Sequence, residues 1–557
     1  MLVASSIETQ NAAKSSTGES GVVWGTKSMD LECLPYGAGH EDEGVCVWLR
    51  MGPHRILLDC GLRDISDLLG ETSHVHVADI VLCSNARADR ARGLLYLHRA
   101  APHLPIYASE VTAQLLPLNW LEEKEVPPFC QGLPWRSPVE LQEDLWVELF
   151  PAGHLPGGSL LRLTYTGGEY PCAVVYTGDF LLSNSRLVDG LPLEELRSLA
   201  PDILIVEGSY GTARYPRRRT QENQLAERID RAIAQKESVL LPVSPLGLGQ
   251  ELLMLLRSHH NFTGRDLDIW VDETIAAGCD AYLELLPHFP TAVQNFARHQ
   301  PIFWDDRIRP RMRRLTPEAR SFLGSRPEIV LIATETDLSP YCQNGSWLIL
   351  LQQQPGYPSA LENLDLPNST TTTLETYLLS EHCDVAGTTQ LIHNLRPQHV
   401  VLVRGSPVYL ADLTNLEELR NRYQLHCPGN RTLVELPLRE KITPSELAQA
   451  QYEGEISEHE WGVAAILPSS MTQDSRWQKF ADTGVIETRW QGDELVLRGV
   501  SGRELLERGR ERPIPLDAPF CANCAYYRAG HCSNQASPLR GFKVAPDGTC
   551  PVFESDG

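Results

Sequence analysis

Residues 171–180 read PCAVVYTGDF, an apolar run that ends in a turn and an aspartate, Asp179. Runs of the same form occur at HRILLDCG (54–61), LFPAGHLPGGS (149–159) and PDILIVEGSYG (201–211). Short apolar runs that stop at Gly, Pro, Asp or Ser predict buried strands. Stretches with a helical pattern, such as LPLEELRSLA (191–200), lie between them. This alternation predicts an α/β domain built in layers.

Acidic and histidine side chains follow several of these strands. Polar groups placed after successive strands of an α/β sheet commonly converge on a substrate or a metal. Each such residue alone is better explained as a turn or helix cap, but six in a fixed order indicate a site. The six are Asp59, Asp89, His154, Asp179, Glu207 and His382.

The order of these segments and the residues in them resemble the β-CASP group of metallo-β-lactamase-fold hydrolases, which includes bacterial ribonuclease J and the eukaryotic pre-mRNA 3′-end endonuclease. The resemblance covers about residues 31–440. Besides the runs quoted above, it includes SVLLPVSPLGLGQELLMLL (238–256) and LLSEHCD (378–384). It implies an αββα sandwich that is interrupted by an inserted β-CASP α/β domain.

The resemblance and the composition together predict six segments. The C-terminal part would be a small α+β region followed by a four-cysteine module, and a hairpin is expected at RWQGDELVLRG (489–499). The segments are a flexible leader (1–30), the first part of the metallo-β-lactamase-like domain (31–210), the β-CASP-like insertion (211–375), the second part of the domain (376–440), the α+β region (441–515) and the cysteine module (516–557). Residues 352–375 are expected to form a loop because they are rich in turn residues.

The metal-binding motif implied by the resemblance is altered in this chain. The family pattern is His-x-His-x-Asp-His, and the matching positions here include Asn85, Arg87, Asp89 and Arg90. The later histidine is replaced by Arg404, so three of the seven implied ligands match: Asp89, His154 and Asp179. A hydrolytic zinc needs about three protein ligands, and a guanidinium stays protonated and does not coordinate metal.

The arginines at these positions suggest a replacement for the metals. Two divalent ions would supply roughly four positive charges to the clustered carboxylates. Arg87, Arg90 and Arg404 bring three permanent charges to the same place, and buried carboxylates need counter-charges. We therefore expect Asp59, Asp89 and Asp179 to pair with the arginines, and the dinuclear zinc to be absent. By resemblance, Glu207 and His382 would assist proton transfer in an active enzyme; the other interpretation is that His154 and His382 are hydrogen-bonded structural histidines.

Four cysteines near the C-terminus have the spacing of a ligand set. Cys521, Cys524, Cys532 and Cys550 fall within CANC-x7-C-x17-C, which suits a tetrahedral zinc or an iron–sulfur cluster. The segment also resembles high-potential iron–sulfur proteins, although the spacings differ. We expect a [4Fe–4S] cluster, with zinc as the alternative and with His531 able to replace one thiolate as a zinc ligand.

Two dense runs of arginine lie in the predicted insertion. They are candidate phosphate contacts, and the alternative is a solvated face or a partner-docking patch. The runs comprise Arg217, Arg218 and Arg219, and Arg309, Arg311, Arg313 and Arg314.

Composition limits the possible functions. The chain has 557 residues and a net charge of −23, which argues against a general nucleic-acid or anionic-membrane binder. We find no apolar run of about 18 residues and no signal peptide, and expect a cytoplasmic protein without a membrane span. The sequence favours a pseudoenzyme that binds protein partners or joins an assembly, with RNA as a further ligand. The alternatives are an active zinc-dependent ribonuclease and an iron–sulfur electron-transfer or redox-sensing protein.

Overall fold

The computed structural model describes residues 31–40, 43–69, 77–338, 340–341, 344–353 and 372–438. In the C-terminal part it describes 455–459, 462–466, 486–491, 494–499, 524–528, 531–534 and 540. The predicted leader and two cysteines of the predicted module, Cys521 and Cys550, lie outside these residues. The chain divides into two compact units, residues 1–439 and 440–557.

The first sheet has seven strands, of which six come from the start of the first unit. Strands one to three are antiparallel, and strands three to six run parallel. The strands are β1 (Leu31–Ala38), β2 (Val45–Met51), β3 (His54–Leu58), β4 (Ile80–Leu82), β5 (Ile106–Ser109) and β6 (Cys130–Leu133). The helices among them are α1 (Ser66–Leu69), α2 (Ala88–Ala91), α3 (Leu94–Ala100) and α4 (Glu110–Leu115), with a 3₁₀ turn at Leu116–Trp120.

A second seven-stranded sheet follows along the chain. Its first four strands are antiparallel, and the fifth lies parallel to the fourth. The strands are β7 (Val139–Gln142), β8 (Leu145–Pro151), β9 (Ser159–Tyr165), β10 (Cys172–Tyr176) and β11 (Ile203–Glu207), and the short helix α5 (Leu193–Leu196) precedes β11.

The third sheet has six strands, all of them parallel, in the order β14-β13-β15-β12-β16-β17. The strands are β12 (Ser238–Val243), β13 (Asp268–Val271), β14 (Arg311–Arg314), β15 (Ile329–Ala333), β16 (Trp347–Gln352) and β17 (Thr372–Tyr377). The helices are α6 (Arg218–Ala234), α7 (Leu248–Ser258), α8 (Glu273–Glu284), α9 (Thr291–His299) and α10 (Pro317–Arg320), with a 3₁₀ turn at Leu286–His288.

The predicted loop at residues 352–375 is wrong in its last part. Thr372–Tyr377 forms the edge strand β17, whose backbone pairs with all of β16. The segment TTLETY is rich in β-branched and aromatic residues, which fit a half-buried pleated surface better than a loop.

After the third sheet, the chain returns to the first two. The strand β18 (His399–Val403) lies between β11 and the short β19 (Gln424–His426), and β20 (Val434–Glu435) pairs with β1. The helices are α11 (Val385–Leu395), α12 (Pro407–Thr414) and α13 (Glu417–Arg420). The six-stranded sheet is therefore inserted between segments that complete the two seven-stranded sheets.

The buried side chains show how the sheets and helices pack into layers. Alternate strand residues point to opposite faces, so Val174 of β10 and Val401 of β18 pack with Val47 of β2 between the two seven-stranded sheets. The opposite face of the second sheet, including Leu204, packs against helices such as α11. The arrangement is the αββα sandwich with an inserted α/β domain.

The C-terminal unit consists, in its described parts, of three antiparallel strand pairs. The pair β23 (Ile486–Gln491) and β24 (Glu494–Gly499) confirms the predicted hairpin. The others are β21 (Glu455–His459) with β22 (Gly462–Ile466), and β25 (Tyr527–Arg528) with β26 (His531–Cys532). Across the described parts of the whole chain, no helix combines the length and apolar character needed to cross a bilayer.

Candidate functional site

The predicted site residues converge where strands of the two seven-stranded sheets end. Asp59 follows β3, His154 follows β8, Asp179 follows β10 and Glu207 ends β11. Asn85, Arg87, Asp89 and Arg90 follow β4 and enter α2, His382 precedes α11, and Arg404 follows β18. We call these ten residues the centre. Their common position follows from the topology, because parallel strands end at the same edge of a sheet.

Arg90 lies at the bottom of the centre, and its side chain is 0% exposed. Its Nη2 donates to Asp179 Oδ1 at 2.5 Å, and its Nη1 lies 3.3 Å from Asp59 Oδ2 and 2.6 Å from Tyr176 Oη. The Tyr176 hydroxyl in turn donates to Asp59 at 2.5 Å. A buried guanidinium is stable when carboxylates face it on several sides, and Arg90 meets this condition.

Arg404 connects three carboxylates. Its Nε lies 3.1 Å from Asp179 Oδ1, its Nη2 donates to Asp89 at 2.5 Å, and its Nη1 lies 3.9 Å from Glu207 Oε2. Nη1 also donates to Ser209 Oγ at 2.8 Å. Asp89 follows a strand of the first sheet, and Asp179 and Glu207 follow or end strands of the second. Because one planar group meets all three acids, Arg404 holds both sheets at the centre.

Arg87 occupies the outer part of the centre. Its Nη1 donates to Glu381 Oε1 at 3.1 Å, and its Nε lies 3.5 Å from Asp89 Oδ1. The predicted pairing of Asp59, Asp89 and Asp179 with the three arginines is thus confirmed. Asn85 is also engaged, since its amide donates to Asp179 and its carbonyl oxygen accepts from the Arg87 backbone N–H.

The two histidines stack on each other at the upper side of the centre, with ring centroids 4.9 Å apart. His382 Nδ1 lies 2.9 Å from Glu207 Oε1, and Arg404 Nη1 lies 2.9 Å from His382 Nε2. Arg87 Nη1 lies 3.4 Å from His154 Nε2, whereas the buried His154 Nδ1 has no hydrogen-bond partner among the described residues. His382 fits the structural role proposed for both histidines more fully than His154 does.

Burial and ion pairing shift the titration of these groups in opposite directions. Burial raises the pKa of Asp59 to about 6, against the lowering effect of Arg90. Burial would also raise the pKa of Asp179, but Arg404 and Arg90 outweigh it and hold that pKa well below its usual value. Burial lowers the pKa of His154 to about 4, which keeps its ring neutral at pH 7.

The dinuclear zinc implied by the sequence resemblance does not fit these residues. Asp179, Glu207 and His382 form the one group among the described residues whose ligand atoms all lie within 4.8 Å of one another. The Arg404 guanidinium already contacts each of the three. Since Arg404 and Arg90 keep their protons and cannot act as ligands, the positions that would face metal are taken by fixed cations.

The backbone of the centre is unusual at two charged residues. Asp59 and Arg404 both have left-handed backbone conformations, with φ of 59° and 55°. This conformation costs a non-glycine residue about 1 kcal/mol or more and persists where the surroundings enforce it. Gly61 lies so close to the Asp89 carbonyl that a Cβ atom would sit 1.8 Å from its oxygen. The centre therefore has little room for backbone adjustment.

The inserted domain is joined to the sandwich by a second buried polar group. Glu251, at the start of α7, accepts hydrogen bonds from Ser185 Oγ at 2.6 Å and from the N–H groups of Arg186 and Leu187. Arg218 lies 3.5 Å from Glu251 and also donates to the Ser380 carbonyl. Arg218 is buried, so its predicted role as a phosphate contact is wrong.

The remaining predicted phosphate contacts differ in their surroundings. Each arginine of the second run faces an aspartate: Arg309 and Arg311 face Asp266, Arg313 faces Asp306, and Arg314 faces Asp280. Arg217 and Arg219 are exposed, and no ion pair involves them in the described part of the chain. The second run therefore resembles a solvated, neutralised face, which was the alternative interpretation.

Two cysteines of the predicted module are described. Cys532 pairs with Tyr527, whose N–H donates to the Cys524 carbonyl at 2.9 Å. This turn brings Cys524 and Cys532 to the same end of a short hairpin, which is compatible with their sharing a metal centre.

Four residues of the centre's surroundings were not predicted. Glu381 pairs with Arg87, Ser209 donates to Glu207, and Tyr176 and Tyr210 contact Asp59 and His382. Each lies within three residues of a predicted site residue, in SEHCD, EGSYG or YTGDF. The sequence signal that could have identified these four residues is their position beside a predicted site residue.

Comparison with known proteins gives several relatives, while no protein-family model matches the chain. An uncharacterised protein of Synechocystis sp. is 48% identical over 545 residues, which cover 95% of this chain and 98% of that protein. Integrator complex subunit 11 of Danio rerio is 22% identical, with 72% of this chain and 73% of that protein covered.

Two proteins of Methanocaldococcus jannaschii are also similar. A probable RNase MJ4 is 26% identical over 250 residues, which cover 41% of this chain and 57% of that protein. An RNase J-like protein is 24% identical over 287 residues, which cover 48% and 64%. Together with the inserted α/β domain and the strand-end centre, these relatives agree with the family indicated by the sequence motifs. The chain belongs to the β-CASP group of the metallo-β-lactamase-fold proteins.

Proposed function

We propose that this chain is a non-hydrolytic β-CASP protein that acts by binding, as a regulator or as a component of an assembly associated with RNA. The observation that carries the proposal is the position of Arg404, whose guanidinium contacts Asp89, Asp179 and Glu207 together. Hydrolysis by this fold requires a metal-activated water. Fixed guanidinium groups supply charge to the carboxylates without supplying such a water.

The relatives support the binding partners named in the proposal. One is named as a subunit of a complex, Integrator complex subunit 11, and two are named as RNases or RNase-like. The competing function is an active zinc-dependent ribonuclease. It differs from the proposal in metal content and in the fate of RNA.

The test measures both quantities on the full-length chain. Zinc is titrated and counted by elemental analysis in a variant in which Cys521, Cys524, Cys532 and Cys550 are replaced by serine, so that zinc held by those cysteines is removed from the count. We expect no tightly bound zinc at the centre and intact single-stranded RNA after incubation. Two zinc ions per chain, together with RNA cleavage that Asp179→Ala abolishes, would overturn the proposal.

We further propose that the four C-terminal cysteines hold a [4Fe–4S] cluster, with zinc as the alternative. The hairpin at Cys524 and Cys532 supports a shared centre. When bound, a cluster would supply either redox sensing or electron transfer, and a zinc ion would supply a structural cross-link. The chain's own contribution is the set of thiolates and the hairpin that spaces two of them.

A further inference from the structure

A notch opens on the inserted domain, on the side of the sheet that ends in the edge strand β14. Its volume is about 270 Å³, and it is lined by Trp270, Ala319, Phe322, Ser325, Arg326 and Glu328. Glu328 directly precedes β15, whereas the turn that follows the parallel strand β12 lies against the sandwich, where Gly247 meets Leu155. The notch is therefore at the end of the inserted sheet that faces away from the centre.

The carboxylate of Glu328 fixes the walls of the notch. One of its oxygens accepts from Trp270 Nε1 at 2.8 Å, and the other accepts from the Gly324 N–H at 2.7 Å. Gly324 has a φ of 81°, and a Cβ atom there would sit 2.1 Å from the Asn344 carbonyl oxygen. Because the loop 321–326 is already positioned by these contacts, binding at this loop costs little further ordering of the chain.

Phe322 protrudes from the same loop and forms one wall of the notch. Its side chain is 72% exposed, the largest fraction of any large apolar side chain in the described parts of the chain. A cavity of about 150 Å³ is enough to hold a benzene ring, so the notch is large enough for a phenylalanine side chain. The loop thus carries an exposed ring and, beside it, a space of the size that such a ring fills.

Two charged side chains next to Phe322 have no ion-pair partner. Glu318 and Arg320 of α10 are both exposed, and neither forms an ion pair within the described residues. Arg320 lies over the ring of Tyr341 at 5.8 Å, and the nearby Arg326 is paired with Asp268. One anion and one cation are therefore available for contacts outside the chain.

We propose that this surface, formed by Trp270, Glu318, Arg320, Phe322 and Arg326 and here named the notch surface, is a two-fold interface between two copies of the chain. Around a two-fold axis a surface meets itself. Phe322 of each copy then enters the notch of the other, and Glu318 of each copy faces Arg320 of the other. The inference does not rest on the proposed function, because the notch surface lies away from the centre.

Charge favours a second copy over a different protein. A purely acidic partner would bring like charge to Glu318, and a purely basic partner would bring like charge to Arg320, whereas a second copy supplies an opposite charge to both. A chain of net charge −23 repels its own copies, so two copies meet most readily where charge is balanced. The β14 arginines beside the notch meet this condition, because each faces an aspartate.

The size of the contact sets the extent of the interface. A stable interface buries about 800 Å² on each copy and has aromatic and arginine side chains enriched at its core. The notch alone is smaller than this. The interface therefore has to extend from the notch over α10 and β14, with Phe322 and Trp270 at its centre.

The test measures the mass of the full-length chain by sedimentation velocity under reducing conditions, from about 1 µM to about 100 µM. The unmodified chain should shift from the mass of one copy to that of two. Phe322→Ser should weaken this self-association at least about tenfold, because a buried aromatic ring at the centre of an interface carries much of its binding energy. The control Tyr96→Ser, at an exposed ring of α3, should stay within about twofold of the unmodified chain.

A charge exchange tests the two-fold arrangement without removing the ring. Glu318→Arg and Arg320→Glu each place like charges opposite one another, and each should weaken the dimer about threefold or more. When the two variants are mixed in equal amounts, every cation again faces an anion. The mixture should then associate within about twofold of the unmodified chain. Amides of residues 321–326 should also exchange hydrogen more slowly at the high concentration than at the low one.

Three results would overturn the inference. The first is a single-copy mass at every concentration, which would assign the notch surface to a different protein. The second is a dimer that Phe322→Ser leaves intact, which would place the interface elsewhere in the chain. The third is a mixture of the two charge variants that associates no more tightly than either variant alone.

Discussion

Arg404 stands where the family resemblance implies a metal-binding histidine, within a site whose architecture is preserved. The residue follows β18 in a left-handed turn, and its guanidinium reaches acids in α2, in the turn after β10 and at the end of β11. An ion and a guanidinium both neutralise carboxylates, but the guanidinium fixes direction through its N–H groups and has no open coordination position. In the proposed non-hydrolytic protein, Arg404 would therefore contribute to stability and not to catalysis.

Replacing Arg90 with methionine should destabilise the first unit strongly. The change leaves Asp59 and Asp179 buried without their shared cation, and breaking such a buried pair typically costs about 3–5 kcal/mol in free energy of unfolding. Denaturant unfolding measures the cost. The control is Arg99→Ala, which removes an exposed pair with Glu123 and should cost less than about 1 kcal/mol. Similar costs for the two variants would contradict a structural role for Arg90.

The lowered pKa of His154 predicts that the free energy of unfolding depends on pH. Burial lowers its pKa to about 4 in the folded chain, whereas an unfolded histidine titrates near 6.5. The unfolded state therefore binds more protons between these values, so the contribution of His154 is present above about pH 6.5 and is lost as pH falls toward 4.

Between about pH 7.5 and about pH 5, His154→Gln should lose less stability to unfolding than the unmodified chain does. His288→Gln, at an exposed position, should match the unmodified chain. A His154 variant with an unchanged pH profile would refute the assignment.

At the scale of elements, the sequence predicted the strands and helices that surround the motifs well. The apolar spacing of residues 221–236 and 248–258 predicts two helices. The structure has α6, which begins three residues before the first of them, at Arg218, and α7, whose ends match the second. Apolar spacing marks these elements because each buries one face. The edge strand β17 was missed because its burial alternates weakly and its neighbours are turn residues.

The residues of the centre were predictable from the sequence, but the ion pairs between them were not. Strand-end positions identify which side chains meet, because the topology brings them to one edge. Which arginine pairs with which acid depends on side-chain directions set by α2 and by the turn at Arg404, and these have no periodic signal. Glu381 was overlooked for the same reason, although it adjoins His382.

The helix α7 gives a prediction for the junction with the inserted domain. Glu251→Ala removes the acceptor for two backbone N–H groups and for Ser185, and we expect a loss of about 2–4 kcal/mol. Hydrogen exchange should accelerate at the amides of Arg186 and Leu187. Glu273→Ala, at an exposed position on the next helix, serves as the control. Unchanged exchange at those amides would show that Glu251 does not hold the loop.

The loops after β4 and β18 allow the missing ligands to be restored. The combined variant Asn85→His, Arg87→His, Arg90→His and Arg404→His removes three cations and adds four imidazoles beside Asp89, His154 and Asp179. We expect it to unfold readily without metal and to be stabilised by zinc, in a melting experiment with and without the ion. Zinc should leave the unmodified first unit unaffected, and an equal zinc response in both proteins would contradict the assignment.

At the scale of the whole molecule, the two compact units carry different chemistry. The ion-paired centre lies in the first unit, and the four proposed cluster ligands all lie in the second unit. Replacing Cys521, Cys524, Cys532 and Cys550 by serine should remove bound iron or zinc, and with it any absorbance near about 400 nm that a cluster would give.

The same variant should keep slow hydrogen exchange at the amides around Arg90 and Asp179. Elemental analysis of anaerobically purified protein decides between iron and zinc. Metal content that survives all four substitutions would place the metal elsewhere, and loss of protection at Arg90 would show that the two units fold as one.

The ion-paired centre has a consequence for the chain in the cell. A metal-dependent fold is completed only when the ion is delivered, and it can be emptied again by chelation or by competition from another metal. Here the positive charges of Arg87, Arg90 and Arg404 are encoded in the polypeptide and arrive with translation. If the centre is metal-free as proposed, the architecture at this edge of the sandwich does not depend on zinc supply, and starvation for the metal would leave it assembled.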